Sequence, residues 1–581
     1  MQLLQKDKLP TILLIFLGSL SWSLTMVKSG IIYPYGMGFW GPNGHDGIWH
    51  IALINHLAKG SFEMPIFAGE RIRNYHIGFD LTLAWIHKLT NIPAHNLYFQ
   101  VLPPILAILV GYLTYKFVLA WRGSKTEAFW ATFFVYFAGD FGWIVTLVRN
   151  GNFGGESLFW SQQAVSTLVN PPFAMSLVLI LASLIFLLKL TEKFNIKYLL
   201  LCILLFGVLA QIKIYAGILM LGALGLTIPY SLLRYKNVAK VFIIGVILVA
   251  SAVFSLLLFL PLNSGSQKMV VFQPFWFLET MMAVSDRFGW QKFYEALMNY
   301  KTGHIWIKLI PAYIVAFIIF FVGNMGMRVI GLYSVLREGM QKRLGEIDVF
   351  LLGVALLGTL LPMCILQTGT PWNTIQFFYY SLFVFAIYTG VWVGRFAERA
   401  KMTHISVYDP RIWLIILITI PTTLSTLMNS YLPGRPPAKI SNQELEALNF
   451  LKSQENGVVL TYPFDKYKAD LAVNNPPRPL YLYESTAYVS AFSGKVVFLE
   501  NEVNLDITGF QWRHRREQSK IPLTSYDKSE VSGFLTKNKI KYLYLVLSQT
   551  PVFGQRFRLG ESQLGLKNIF ENNEVVIYRV N

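Results

Sequence analysis

About eleven apolar runs, each roughly 20 residues long, recur along this 581-residue chain, and each is long enough to cross a hydrocarbon core as a helix. In lipid the backbone has to satisfy its own hydrogen bonds, so such runs admit helices and little else. With 54% hydrophobic and 14% charged residues, the chain is too apolar for a soluble protein of this length. The expected spans are 9–27, 97–120, 127–148, 171–190, 197–212, 214–233, 240–261, 305–323, 347–366, 374–394 and 412–430. The first follows Lys6 and Lys8 and lacks a small-residue cleavage site, so it reads as a retained span.

Short cytoplasmic loops keep Lys and Arg, and that bias orients the spans. Arg122 and Lys125, Lys193 and Lys197, Arg234, Lys236 and Lys240, then Arg328, Arg337, Lys342 and Arg343, and finally Arg395, Arg399 and Lys401 are all expected on the cytoplasmic side with the N-terminus. The net charge of +18 is spread over these loops rather than gathered on one face, which argues for lipid topology and against nucleic acid. Loop 28–96, the Trp-, Phe- and Met-rich stretch 263–303, and everything after Tyr431 then lie outside. A plasma-membrane, multi-pass protein follows, and the lack of any N-x-S/T acceptor is consistent with a prokaryotic source. Cys202 and Cys364 both sit in apolar runs, so neither a disulfide framework nor a thiolate metal cluster is expected.

The fold class expected is an α-helical polytopic membrane protein over 1–431, with outer loop 28–96 forming two surface helices, followed by an outer α/β or α+β domain over 432–581. The linker PGRPPAK opens that domain, Ser441 and Glu444 have capping-box spacing, and GVVLTYP, KVVFLE, IKYLYLVL and EVVIYRV are β-rich. SEVSGFLTKNK is expected to be a helix. No Gly-rich phosphate loop follows a strand, which excludes nucleotide hydrolysis as a power source.

Candidate chemistry concentrates in Gly41–Lys88. Asp46 begins an apolar segment suited to a helix on the membrane surface, with His50 four residues on and so on the same face. An Asp there is first of all an N-cap; beside His45, Trp49 and His50 it is also a candidate general base or ligand for a divalent cation. His76 and Asp80 repeat the spacing, and Asp80 is expected to bond His76 or an Arg and pin the loop. Arg71 and Arg73 are candidate phosphate donors or solvated surface charges. Asp140, Lys213 with Tyr215, and Trp372 with Asn373 and Gln376 intrude near the outer ends of spans, where polar groups mark functional sites by default. Lys213 could equally snorkel to headgroups, and Asn170-Pro171-Pro172 reads as structural. In the outer domain, Glu484, Glu500, Asp506, Arg513, His514, Arg515 and Arg516 interleave with Tyr483, Tyr488, Phe492, Phe510 and Trp512, either as a solvated face or as a wall that stacks on sugar rings.

An acidic first outer loop with two surface segments, many spans and an outer C-terminal domain together resemble the GT-C superfamily of glycosyltransferases, which includes protein O-mannosyltransferases, oligosaccharyltransferase catalytic subunits and the lipid A aminoarabinose transferase. His45-Asp46 matches the superfamily's acidic motif and NYHIGFDLTLAWIHKLT its following surface helix, although His45 stands where a second acid is expected. The resemblance implies a polyprenyl-phosphate-linked sugar donor, a glycan, lipid or protein acceptor, inversion at the anomeric carbon, and Mn²⁺ or Mg²⁺ as candidate cofactors at Asp46. It further implies Asp46 as base with His45 and His50 beside it. Lys213, Tyr215, Arg71, Arg73 and Arg513 would meet the donor phosphate, and His76, Asp80, Asp140, Trp372, Asn373, Gln376, Glu484 and Arg516 would support the site or hold the acceptor. Two other readings stay open: a transporter or flippase using Asp46, Asp80, Asp140 and Lys213, and a non-catalytic scaffold with a glycan-binding outer domain. Polar residues at one face, without broken spans in two matching halves, argue against transport.

Overall fold

The computed structural model describes residues 9–235, 238–263, 269–341, 343–402, 409–549 and 559–581. Lys6, Lys8, Lys236 and Lys342 lie outside the described residues. Two compact units emerge: one comprises Met1–Thr25, Pro103–Pro261 and Lys268–Leu432, the other Met26–Leu102, Leu262–Gln267 and Pro433–Asn581. The first outer loop groups with the C-terminal segment in the second unit.

The first unit is helical. Among the described residues eight helices are long and apolar enough to cross a membrane, or nine if Lys125–Phe137 and Gly142–Asn150, bent by 45°, form one broken span. Leu9–Ser23 and Ile196–Ile212 are apolar but shorter. Helix starts are set by side chains that take up otherwise orphaned N–H groups: Ser124 accepts from Glu127 N, Asn170 from Phe173 N and Asn195 from Lys197 N. Close packing is set by small residues. In the helix Gln376–Met402, Gly390 and Gly394 form a G-x-x-x-G pair on which any Cβ would overlap the backbone of Ala131 and Glu127 in the helix Lys125–Phe137.

Charged loop ends gather at one end of this unit. Arg122 Nε donates to Glu127 (3.2 Å) and Arg395 Nε to the same carboxylate (3.1 Å), Arg395 also pairs with Glu338, and Lys240 lies 3.6 Å from Glu346. Arg328 departs from the expected loop placement. It belongs to a 35-residue apolar helical stretch, Trp306–Met340, and is 2% exposed, with its guanidinium donating to Gln163 Oε1 and to the carbonyls of Asn324 and Ala138. A charge count cannot separate a loop arginine from one whose donors are satisfied inside a bundle.

In the second unit, Ile32–Tyr33 and Gly36–Phe39 form a hairpin that extends onto Ala438–Ile440 (antiparallel) and then Arg478–Pro479 (parallel). Gly36 has φ +111°, and a Cβ there would run into the Ile440 carbonyl, so the close approach needs glycine. A second sheet has the order Val458–Thr461, Ile540–Val546, Val575–Val580, Leu566–Glu571, its first pair parallel and the others antiparallel. Ser441 caps the helix Asn442–Ser453, and Lys528–Lys537 is a helix. KVVFLE differs from the expectation: it contributes one isolated bridge, Val459–Val497, rather than a strand, while the strand Leu566–Glu571 is unanticipated.

Candidate functional site

The second unit holds the helix Asp46–Ala58, preceded by the tight turn Gly41–Gly44. That turn is fixed from two directions. Tyr483 donates its hydroxyl proton to the Gly41 carbonyl (2.9 Å), and Asn43 donates to Ser29 Oγ (2.9 Å). Gly47 fits against Phe99, whose ring a Cβ would strike. Asp46 is the first helical residue; the cap position belongs to His45, which makes no side-chain cap bond. The N-cap expectation for Asp46 is therefore corrected. The helix is not a surface helix either, because Gly47 through Ile54, His56 and Leu57 are buried. Gly78–Thr90 keeps an exposed apolar face at Trp85 and Leu89.

His45 Nδ1 donates to Asp46 Oδ1 at 2.8 Å, with His45 buried and the Asp46 side chain 52% exposed. Burial alone would lower the His45 pKa; the hydrogen bond and charge of Asp46, the charge of Glu484 and the Asn501 amide outweigh it and raise the group to about 8. His45 is thus an imidazolium at neutral pH beside an accessible carboxylate. His50 Nδ1 meets Asp80 Oδ1 at 2.6 Å, and its ring stacks on Tyr98 (centroids 5.3 Å apart). Asp80 therefore pairs across segments, while His76, which precedes the helix Gly78–Thr90, stacks on Tyr75. Asp80 thus has a partner outside its own segment, which residue spacing along Gly78–Thr90 does not indicate.

Among the described residues no group of three or more His, Cys, Asp and Glu side chains is arranged to hold a metal ion. At Asp46 the neighbouring side chain is the imidazole of His45. These residues do not fit Mn²⁺ or Mg²⁺.

The arginines of this unit are occupied or dispersed. Arg71 is exposed and bridges to Glu63 through the backbone, Arg73 lies over Phe510 (4.2 Å), Arg513 faces Asp506 (3.7 Å), and Arg516 pairs with Glu502 and the Phe464 carbonyl. Tyr488, Phe510 and Trp512 are buried, so they do not form the open sugar-stacking wall the sequence pattern admits.

The first unit assembles a different group. Lys213 occupies an extended break between the helices Ile196–Ile212 and Ile214–Tyr235, and is 5% exposed. Its ammonium donates to Asn170 Oδ1 (3.3 Å), Asn170 Nδ2 to Gln376 Oε1 (3.4 Å), and Gln376 Nε2 to Asn373 Oδ1 (3.4 Å). Tyr215 donates to Gln367 Oε1 (3.2 Å), and Trp372 is half-exposed. Asn170, which the sequence presents only as a structural residue before Pro171-Pro172, belongs to this group, as does Gln367, which escaped the sequence reading. Asp140 stands apart, its Oδ1 accepting from Gly142 N (3.1 Å) and Thr422 Oγ1 (3.0 Å), which pins the bend between two helices.

The chain has a GT-C-like fold. It aligns with an oligosaccharyltransferase of Archaeoglobus fulgidus in its apo form at a TM-score of 0.50 and 12% identity, over 92% of this chain and 69% of that one. The same enzyme in complex with Zn and sulfate aligns at 0.48 and 14% identity, over 92% and 68%. ArnT of Cupriavidus metallidurans bound to undecaprenyl phosphate aligns at 0.39 and 11%, over 98% of both chains. No family pattern matches the chain, and no curated protein matches it by sequence. It is a multi-pass helical membrane protein whose structural neighbours are GT-C glycosyltransferases.

Proposed function

We propose that this chain is an inverting membrane glycosyltransferase that moves a sugar from a polyprenyl-phosphate-linked donor to an acceptor hydroxyl on the extracytoplasmic face of the plasma membrane. The carrying observation is the His45–Asp46 pair: a half-exposed carboxylate held at 2.8 Å by a buried imidazolium, on a GT-C-like fold. Exposure makes Asp46, not His45, the group an acceptor reaches.

In this reading Asp46 takes the acceptor's O–H proton as the acceptor oxygen bonds to the anomeric carbon. The bond from that carbon to the phosphate oxygen breaks, its electron pair stays on the polyprenyl phosphate, and Asp46 returns the proton to water. Lys213, oriented by Asn170, is the cation of the first unit that this reading assigns to the phosphate charge. His50–Asp80 acts as the fixed floor of the first loop. The N-terminus is assigned to the cytoplasm and the 432–581 segment to the outside, as the charged loops require.

The test uses purified protein in lipid nanodiscs with polyprenyl-phosphate hexoses. Asp46→Asn is expected to cut polyprenyl phosphate release by about 10²–10⁴-fold when assayed at a temperature where parent and variant are both folded. Undiminished release in that variant would end the assignment.

A further inference from the structure

Within the second unit a cleft opens between the strand Val458–Thr461, the segment 481–502 and the strand Ile540–Val546. Two of its lining residues, Glu484 and Asn501, also act on His45, the partner of Asp46. The cleft thus adjoins the proposed base without being part of it.

Its walls hold polar atoms that burial leaves unserved. Asn501 is fully buried in a left-handed conformation (φ +47°); its Oδ1 caps the helix Glu502–Thr508 by accepting from Asn504 N, and its Nδ2 has no partner. Thr486 Oγ1, on a residue 5% exposed, likewise has none. Buried donors are left unpaired in native proteins rarely, and such sites usually await water or a ligand. Around them stand the half-buried rings of Tyr481 and Phe464 and the carboxylate of Glu484.

The lining chemistry discriminates among ligands. No Lys, Arg or His lines the cleft among the described residues, whereas Glu484, Glu500 and Glu502 do, so the lining offers no cation to pair with a phosphorylated or acidic ligand. Glu502 is already neutralised by Arg516, and Glu500 accepts from the backbone N–H groups of Val489 and Ser490. A strand-like peptide finds no free edge, because Val458–Thr461 pairs with Ile540–Val546 on one side and bridges Val497 on the other. What remains is a ligand with hydroxyls to accept and donate hydrogen bonds and a flat apolar face for the rings.

We infer that this cleft is an acceptor subsite for a neutral saccharide, held by Glu484, Thr486 and Asn501 against Tyr481. The inference rests on the glycosyl-transfer reading for the word acceptor and on the cleft alone for saccharide binding.

Full-length protein in nanodiscs is titrated with methyl α-D-mannopyranoside, methyl β-D-glucopyranoside and methyl β-D-galactopyranoside, followed by saturation-transfer NMR. Methyl β-D-glucuronide, 1,6-diaminohexane and an Ala-Ser-Thr-Ala amide serve as competitors of other classes. At least one neutral glycoside is expected to saturate the protein and the glucuronide to fail. Thr486→Val and Glu484→Gln should each weaken the glycoside about tenfold, with unchanged binding of polyprenyl phosphate and, for Thr486→Val, an unchanged melting curve. Absence of neutral glycoside binding, preferential binding of the diamine or the peptide, or full affinity in both variants overturns the subsite. Polyprenyl phosphate release that still depends on Asp46 would then leave the transferase reading standing.

Discussion

His50 Nδ1 lies 2.6 Å from Asp80 Oδ1, across 30 residues of chain, with the Asp80 side chain fully buried and that of His50 9% exposed. This contact ties the helix Asp46–Ala58 to the helix Gly78–Thr90, and so sets the direction in which Asp46 leaves its turn. Removing one member of a buried pair strands the other. His50→Ala and Asp80→Ala are each expected to cost about 3–5 kcal/mol, read as a lowered unfolding midpoint in detergent. The double variant should cost clearly less than the sum; strict additivity would show that the two residues do not depend on each other.

His45 makes a separate prediction about pH. Its folded pKa of about 8 lies above the ordinary 6.5, because Asp46 and Glu484 outweigh burial. A raised imidazole favours folding while protonated, so its contribution is complete below about pH 6.5 and disappears as pH rises through about 8. The shift corresponds to at most about 2 kcal/mol, reduced by solvent screening at the half-exposed Asp46. Melting curves of the parent protein and His45→Gln from about pH 6 to about pH 9 should converge as pH rises. A gap that stays constant over that range contradicts the assignment.

These contacts show where the sequence is legible. Apolar runs and caps act locally, so the helices and the Ser441 cap can be read from residues within a few positions of each other. The Asp80–His50 pair, the junction of Gly36–Phe39 with Ala438–Ile440 and the burial of Arg328 depend on partners far along the chain. Residue spacing within one segment carries no information about them. Asn501 is harder still, since only its left-handed backbone and its place beside His45 single it out.

Lys213 gains its importance from Asn170, which binds its ammonium at 3.3 Å and is itself held by Gln376. An ammonium merely snorkelling to headgroups would tolerate loss of that amide. As the donor-phosphate ligand, Lys213→Met should weaken binding of polyprenyl phosphate by one to two orders of magnitude, about 1.5–3 kcal/mol for a hydrogen bond to a charged group. Asn170→Ala should lower affinity less, by misorienting the lysine. Binding measured by displacement of a fluorescent polyprenyl phosphate reads both, and parent-like affinity in Lys213→Met removes the residue from the donor site.

Gly390 and Gly245 allow a test of sign rather than size. Both lie inside apolar helices, where replacing Gly with Ala relieves backbone entropy and is intrinsically favourable by about 0.5–1 kcal/mol. At Gly245, in Val238–Asn263, an added Cβ meets nothing within 4 Å, so Gly245→Ala should hold or raise the melting temperature. At Gly390 the same methyl would enter the backbone of Ala131 and force the helix Gln376–Met402 away from Lys125–Phe137. Overpacking of this kind costs about 1–3 kcal/mol, enough to reverse the intrinsic gain, and Gly394→Ala should behave in the same way against Glu127. The two helices carry Arg395 and Glu127, whose bond closes the charged end of the bundle. Their separation should therefore also weaken the effect of Arg395→Ala, because the ion pair would already be strained open in the Gly390→Ala background. Equal, favourable shifts at Gly245 and Gly390 would mean that the helices do not approach at these glycines.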